Sequence, residues 1–330
     1  MTLAALLRHA GVQLRLDMLA PPMPPRAPAP LLAPPSEARP STIAAALSYL
    51  LRFELERRYP LARTHDWLAE DAPGLLESLA PELVARAEAA GEDAGQALAV
   101  FAQERAPGPE SRAWMAAHAL RLARLDAVVR SGYVDPRMDA ADAADVADLL
   151  AMLDATPWAS FVPHGAQLDL NPSFGRASVL VPGADADAII DGRLYAFRTS
   201  KSDRIGADDV RPLVLRFLLS RLARADDASF PEVREIGLLS ARHGSVWSAP
   251  VKPMLEHAGF PAIESWMLRH MERERGLTLK SIAKGATLDD APAPKTLQRT
   301  PGWVKKRWGR GKRAPQTAPE GKADKKKAER

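Results

Sequence analysis

The pattern of apolar and polar positions divides the chain in two. Up to about residue 155, apolar residues recur at helical spacing. After Pro157 they alternate, as they do along strands. Residues 1–16 place Leu3, Leu6, Leu7 and Val12 on one helical face. After Pro40, the run STIAAALSYLLRFELERR sets Ile43, Leu47, Leu50 and Leu51 in a stripe, with Ser41 as the expected cap. Glu54 continues that stripe, and such a glutamate is expected at its edge, reaching solvent. A ligand role is the sharper alternative. Residues 73–105 read as two helices broken near Gly91. Residues 109–130 read as one long helix, with proline at its start and Gly132 past its end. In the helix over 139–153, Asp139, Asp142, Asp145 and Asp148 are expected to form an exposed acidic face. His118, set among alanines and leucines, reads as a packed imidazole.

The second half predicts strands at Gln167–Leu170 and Ala177–Val181, joined by the turn-forming NPSFG. The stretch that orders the rest is GADADAIIDGRLYAFRTSK, from Gly183 to Lys201. Two apolar runs flank Asp191-Gly192, a strong hairpin signal because both residues tolerate positive φ. Asp185 and Asp187 lead into the first strand, while Arg198 and Lys201 leave on the second. A helix over 207–224 follows, then a second hairpin turning at His243-Gly244. A last helix over 252–273 is broken at Gly259-Phe260-Pro261. Strands grouped between helices argue for an α/β fold with a mixed central sheet, preceded by a helical half.

Composition narrows the function classes. The chain has 330 residues and no cysteine, which excludes disulfides and thiolate metal sites. No glycine-rich phosphate loop follows a strand, and no HExxH or GxSxG is present. No apolar run reaches bilayer length and no basic leader precedes the first one, so the expectation is a soluble, cytoplasmic protein. The division expected is an N-terminal segment with a linker over 1–40, a helical region over 41–155, an α/β core over 156–275 and a disordered basic tail over 276–330. Nine prolines between residues 21 and 40 predict an extended linker. Between Lys295 and Arg330, 13 Lys and Arg stand against 3 acids, a net of +10. With +4 overall, the first 294 residues carry −6.

The order helix, three strands, helix, strand resembles the PD-(D/E)xK phosphodiesterase superfamily over about residues 165–250. An aspartate opens the second strand and a cation ends the third. That resemblance implies the restriction-endonuclease-like αβββαβ fold of RecB-type nucleases. In such a site two carboxylates hold Mg²⁺ or Mn²⁺, which activates a water, and a lysine on the same strand face charges the reacting phosphate. The first acid falls on Asp187, the second on Ala196 and the lysine on Arg198. The helix glutamine falls on Leu213. The resemblance therefore implies a degenerate member that binds nucleic acid without cutting it and needs no cofactor. An active metal-dependent nuclease is the alternative, using Asp187 with a displaced acid, Asp185 or Glu54.

The tail adds a second argument. Trp303 and Trp308 interleave with Lys305, Lys306, Arg307, Arg310, Lys312 and Arg313. Cations release counterions from phosphates and indoles stack on bases. Arg198, Lys201 and this tail are the expected nucleic-acid contacts; an anionic membrane surface suits the same residues. A third class is an assembly protein that docks partners through its helical half or its Pro-rich linker.

Overall fold

The computed structural model describes residues 2–22, 29–37 and 39–283. The tail residues singled out above, from Trp303 to Arg313, lie outside them. Helices α1 (Leu3–Arg8), α2 (Ala10–Leu19) and α3 (Pro40–Arg58) come first. They are followed by strand β1 (Arg63–Thr64), then α4 (Ala72–Leu79), α5 (Val84–Phe101), α6 (Pro109–Ser131), α7 (Ala143–Ala155) and the short α8 (Trp158–Phe161). The second half runs β2 (Leu168–Leu170), α9 (Arg176–Leu180), β3 (Ala188–Ile190), β4 (Arg193–Arg198), α10 (Ala207–Asp226), β5 (Glu235–Ser240) and β6 (Ser245–Pro250). It closes with α11 (Lys252–Glu256), α12 (Phe260–Arg275) and α13 (Leu279–Ala283).

The strands form one mixed sheet whose spatial order equals their chain order. β2, β3 and β4 are a sequential antiparallel meander, and α10 carries the chain to β5, which lies parallel to β4. At one edge β1 pairs parallel with β2, and at the other β6 folds back antiparallel on β5. Strand alternation sends neighbouring residues to opposite sides. Leu168, Leu170, Ala188, Ile190, Tyr195 and Leu239 pack under α3–α7. Ile189, Leu194, Ile236, Leu238, Trp247 and Ala249 pack against α2, α9, α10 and α12. Helices α3–α7 are thus a layer on one face of the sheet, and α1 and α2 join the layer on the other. Among the described residues, no helix is long and apolar enough to cross a membrane.

Several expectations give way. Residues 177–181 lie not in a strand but at α9: the Ser178 hydroxyl receives the Phe174 amide, and Ala177, Leu180 and Val181 bury on one helical face. The break between α4 and α5 falls at Pro81, behind an extended Ala80 (φ −160°), and α5 runs unbroken through Gly91. Proline lacks the amide a helix needs and restricts the residue before it, a stronger breaker than a glycine. α3 begins at Pro40, ahead of Ser41. The N-terminal face divides at His9 into α1 and α2, which bury Leu6, Val12 and Leu16.

The acidic face of α7 does not form. Asp145 and Asp148 are buried, and Asp148 meets the Arg242 guanidinium in a two-pronged pair at 2.5 and 2.9 Å. The described part of the Pro-rich stretch is packed rather than free. Leu32 and Ala33 donate their amides to the Arg242 carbonyl, Ser36 donates to Asp148, and Ala33 is fully buried. Residues 29–37 are therefore a strap laid across the β5–β6 turn and α7.

Candidate functional site

The β3–β4 hairpin positions the first candidate. Asp191 (φ 49°) and Gly192 (φ 76°) both take the left-handed region, and the Asp191 carboxylate accepts from the Gln167 amide. Ala188 faces Tyr195, so continuing the register one step sets Asp187 opposite Ala196. Both oxygens of Asp187 are engaged: the Ser48 hydroxyl donates to Oδ1 at 2.6 Å and the Phe197 amide to Oδ2 at 3.0 Å. The acid at the head of one strand is thereby tied to the partner strand and to α3.

Arginines surround this carboxylate. From α10, Arg216 donates Nε to the carbonyls of Ala184 and Asp185 at 3.1 Å each. Burial lowers its pKa below the usual arginine range, while the charges of Asp187 and Asp185 act in the opposite sense. From α6, Arg130 pairs with Asp126 at 2.6 Å and lies close enough to Asp187 for that charge to favour the guanidinium. Gly183 (φ 75°) lies beside it: a Cβ there would stand 3.4 Å from an Arg130 Nη, in ordinary contact. From α3, Arg52 donates Nε to the Ser48 carbonyl at 3.3 Å and lies over the Tyr49 ring. Its buried Nη1 has no hydrogen-bond partner. Burial raises the Asp126 pKa against the pull of Arg130 and Arg52. Burial, aided by the Asp126 charge, pushes the Tyr49 hydroxyl up to about 12.

This donor set does not fit a divalent cation. Such an ion needs several oxygens with lone pairs to spare. Asp187 has both oxygens hydrogen-bonded and Ala196 supplies none; the neighbouring Asp126 is paired with Arg130, and Arg216 stands beside Asp187 and Asp185 as a further cation. Among the described residues, no group of three or more His, Asp or Glu side chains is arranged to hold a metal. Guanidinium groups beside a hydrogen-bonded acid suit an anion instead.

Of the other expected residues, Asp185 stays beside Arg216 with its carboxylate accepting from the Ser178 hydroxyl at 2.8 Å, and the rest do not gather here. Arg198 is not a free cation: its Nε lies 2.9 Å from Asp209 Oδ1 and its Nη2 donates to the Arg204 carbonyl, tying β4 to the start of α10. Lys201 is exposed. Leu213 is buried in the core. Glu54 does not reach solvent at the stripe's edge. It is buried and receives Arg57 and Arg58, six residues and about 9 Å along α3 from Ser48. Sequence reading missed Ser48, Arg52, Asp126, Arg130 and Arg216. The i,i+4 spacing of Asp126 and Arg130 was the available signal. Nothing local marks Arg216, which sits between the core residues Leu215 and Phe217.

No family model, curated protein or solved structure matches this chain.

Proposed function

We propose that the chain is a nucleic-acid-binding protein built on a nuclease-like αβββαβ core that does not cleave its ligand. The supporting order runs α7, the β2–β3–β4 meander, α10, then β5 parallel to β4. The observation that carries the reading is the register at the head of the hairpin. The last pair is Ala188 with Tyr195; one step beyond it on the two strands lie Asp187 and Ala196, and Asp187 is already held by Ser48 and Phe197 among arginines. A phosphodiester at this surface meets Arg130, half-exposed, in place of a metal. The tail cations add sequence-independent affinity through counterion release.

Purified protein mixed with labelled single- and double-stranded DNA and RNA, with Mn²⁺, tests this. The expected result is no cutting and a gel shift that weakens steeply with salt. Replacing Lys305, Lys306, Arg307, Arg310, Lys312 and Arg313 with Gln in the full chain lowers affinity and flattens the salt slope, by roughly 0.9 for each duplex-DNA phosphate that is no longer neutralised. Metal-dependent cutting abolished by Asp187→Ala overturns the non-cleaving reading. Absence of any shift at low salt overturns nucleic-acid binding itself.

A further inference from the structure

A second concave, charged feature lies at the C-terminal end of α3 and takes no part in the function proposed above. It is a cleft of about 710 Å³, walled by α3, the segment joining α5 to α6, the end of α7 and Trp158. That volume is in the range of small-molecule sites, roughly 300–1,000 Å³.

The donors and acceptors in it are unevenly spent. Glu54 lies at the base with its side chain 5% exposed, and its oxygens accept from Arg57 at 2.6 and 2.9 Å and from Arg58 Nε at 2.6 Å. Glu104 accepts from the Ser111 hydroxyl, and Asp154 pairs with Arg112. Each carboxylate of the cleft is therefore already engaged. Arg57 is spent as well, its Nη1 reaching the carbonyls of Glu104 and Arg105, which closes the wall.

The remaining arginines are not. Arg58 uses only Nε, and its guanidinium lies over the Trp158 ring at 4.2 Å, which fixes the fork while both Nη groups stay available. Arg105 is exposed, with no side-chain partner among the described residues. Arg112 commits Nη2 to Asp154 and is only 29% exposed. Three forks with unspent donors line this one cleft, where four arginines stand against three carboxylates, each already holding a donor. One carboxylate ligand needs a single fork, whereas a chain of tetrahedral phosphates presents oxygens to several at once.

We infer that this cleft binds an oligophosphate-bearing small molecule, with Arg58, Arg105 and Arg112 on the phosphates. Glu54 and Arg57 hold Arg58 in place, and Trp158 backs it.

Titration calorimetry on the full chain tests this with tripolyphosphate, ATP and citrate as probes. Saturable binding of tripolyphosphate and ATP is expected, with citrate at least about tenfold weaker. Arg105→Gln, which breaks no side-chain bond in the fold, is expected to weaken ATP about tenfold with an unchanged thermal melt, and Arg58→Gln to weaken it at least as much while lowering the melt, since it removes a partner of the buried Glu54. Arg105→Gln is also expected to leave nucleic-acid affinity unaltered, which separates this site from the surface around Asp187. Heat that survives Arg105→Gln and Arg58→Gln overturns the proposal, since these forks then do not hold the phosphates. Equal binding of citrate overturns the phosphate assignment. Loss of nucleic-acid binding in Arg105→Gln overturns the separate site.

Discussion

His118 shows how a single side chain can carry a pH dependence. It is buried on α6 against Trp114, and neither ring nitrogen has a hydrogen-bond partner. Burial, aided by nearby Arg121 and opposed by Asp93, lowers its pKa below 6.5. The unfolded chain therefore takes up this proton first as the pH falls. Stability is whole above about pH 6.5 and is lost as the pH descends through the folded value. His270, lowered in the same direction by burial, adds to the loss. Urea midpoints measured from pH 7 to pH 5 should fall. His118→Leu should flatten part of that slope and raise stability at pH 5 by about 1 kcal/mol, because it also removes two orphaned nitrogens. A slope identical to that of the parent would show that the ring is not held neutral.

At the scale of elements, two glycines should respond in opposite ways. Gly192 sits at φ 76°, and a Cβ there would stand 2.7 Å from the Glu232 carbonyl oxygen. Gly192→Ala should cost about 2 kcal/mol or more in urea denaturation, since the turn can neither relax nor rotate away. Gly91, inside α5, has nothing within 4 Å of a Cβ, so Gly91→Ala should stabilise by about 0.5–1 kcal/mol. These positions also mark what was legible beforehand. The hairpin was readable because Asp-Gly encodes a backbone conformation, and the long helices because their period runs over many turns. The segment 177–181 was not, since five residues fit either period and only the packing of Ala177, Leu180 and Val181 decides. The site was half legible. Asp187 and the gap at Ala196 lie on one hairpin, but Ser48, Arg130 and Arg216 come from three helices that meet only after folding. Glu54 was noticeable for its position on the stripe, yet its burial depends on Arg57 and Arg58 folding back over it.

Across the whole molecule, the pair of Asp148 and Arg242 joins pieces far apart in the chain. Arg242 also donates to the carbonyls of Ala33 and Thr199, so one guanidinium fastens the strap, the β4 exit and α7 together. Asp148→Ala leaves that charge buried and unmatched and should destabilise by about 3–5 kcal/mol. An Asp148→Leu/Arg242→Met double variant should recover much of the stability, since no charge is then stranded. Proteolysis read by mass spectrometry should show earlier cutting within residues 29–37 in Asp148→Ala than in the parent. Equal protection would mean that the strap is held by other bonds.

The strap also imposes an order on synthesis. The Ala33 carbonyl meets a side chain 209 residues later. A ribosome adding roughly 5–20 residues per second takes about 10–40 s to deliver that partner. Until then the N-terminal segment has no seat, and Leu6, Val12 and Leu16 wait for α10 and α12 to cover them. Residues made early are thus enclosed late, and for that interval the nascent chain presents an apolar surface that a chaperone can hold.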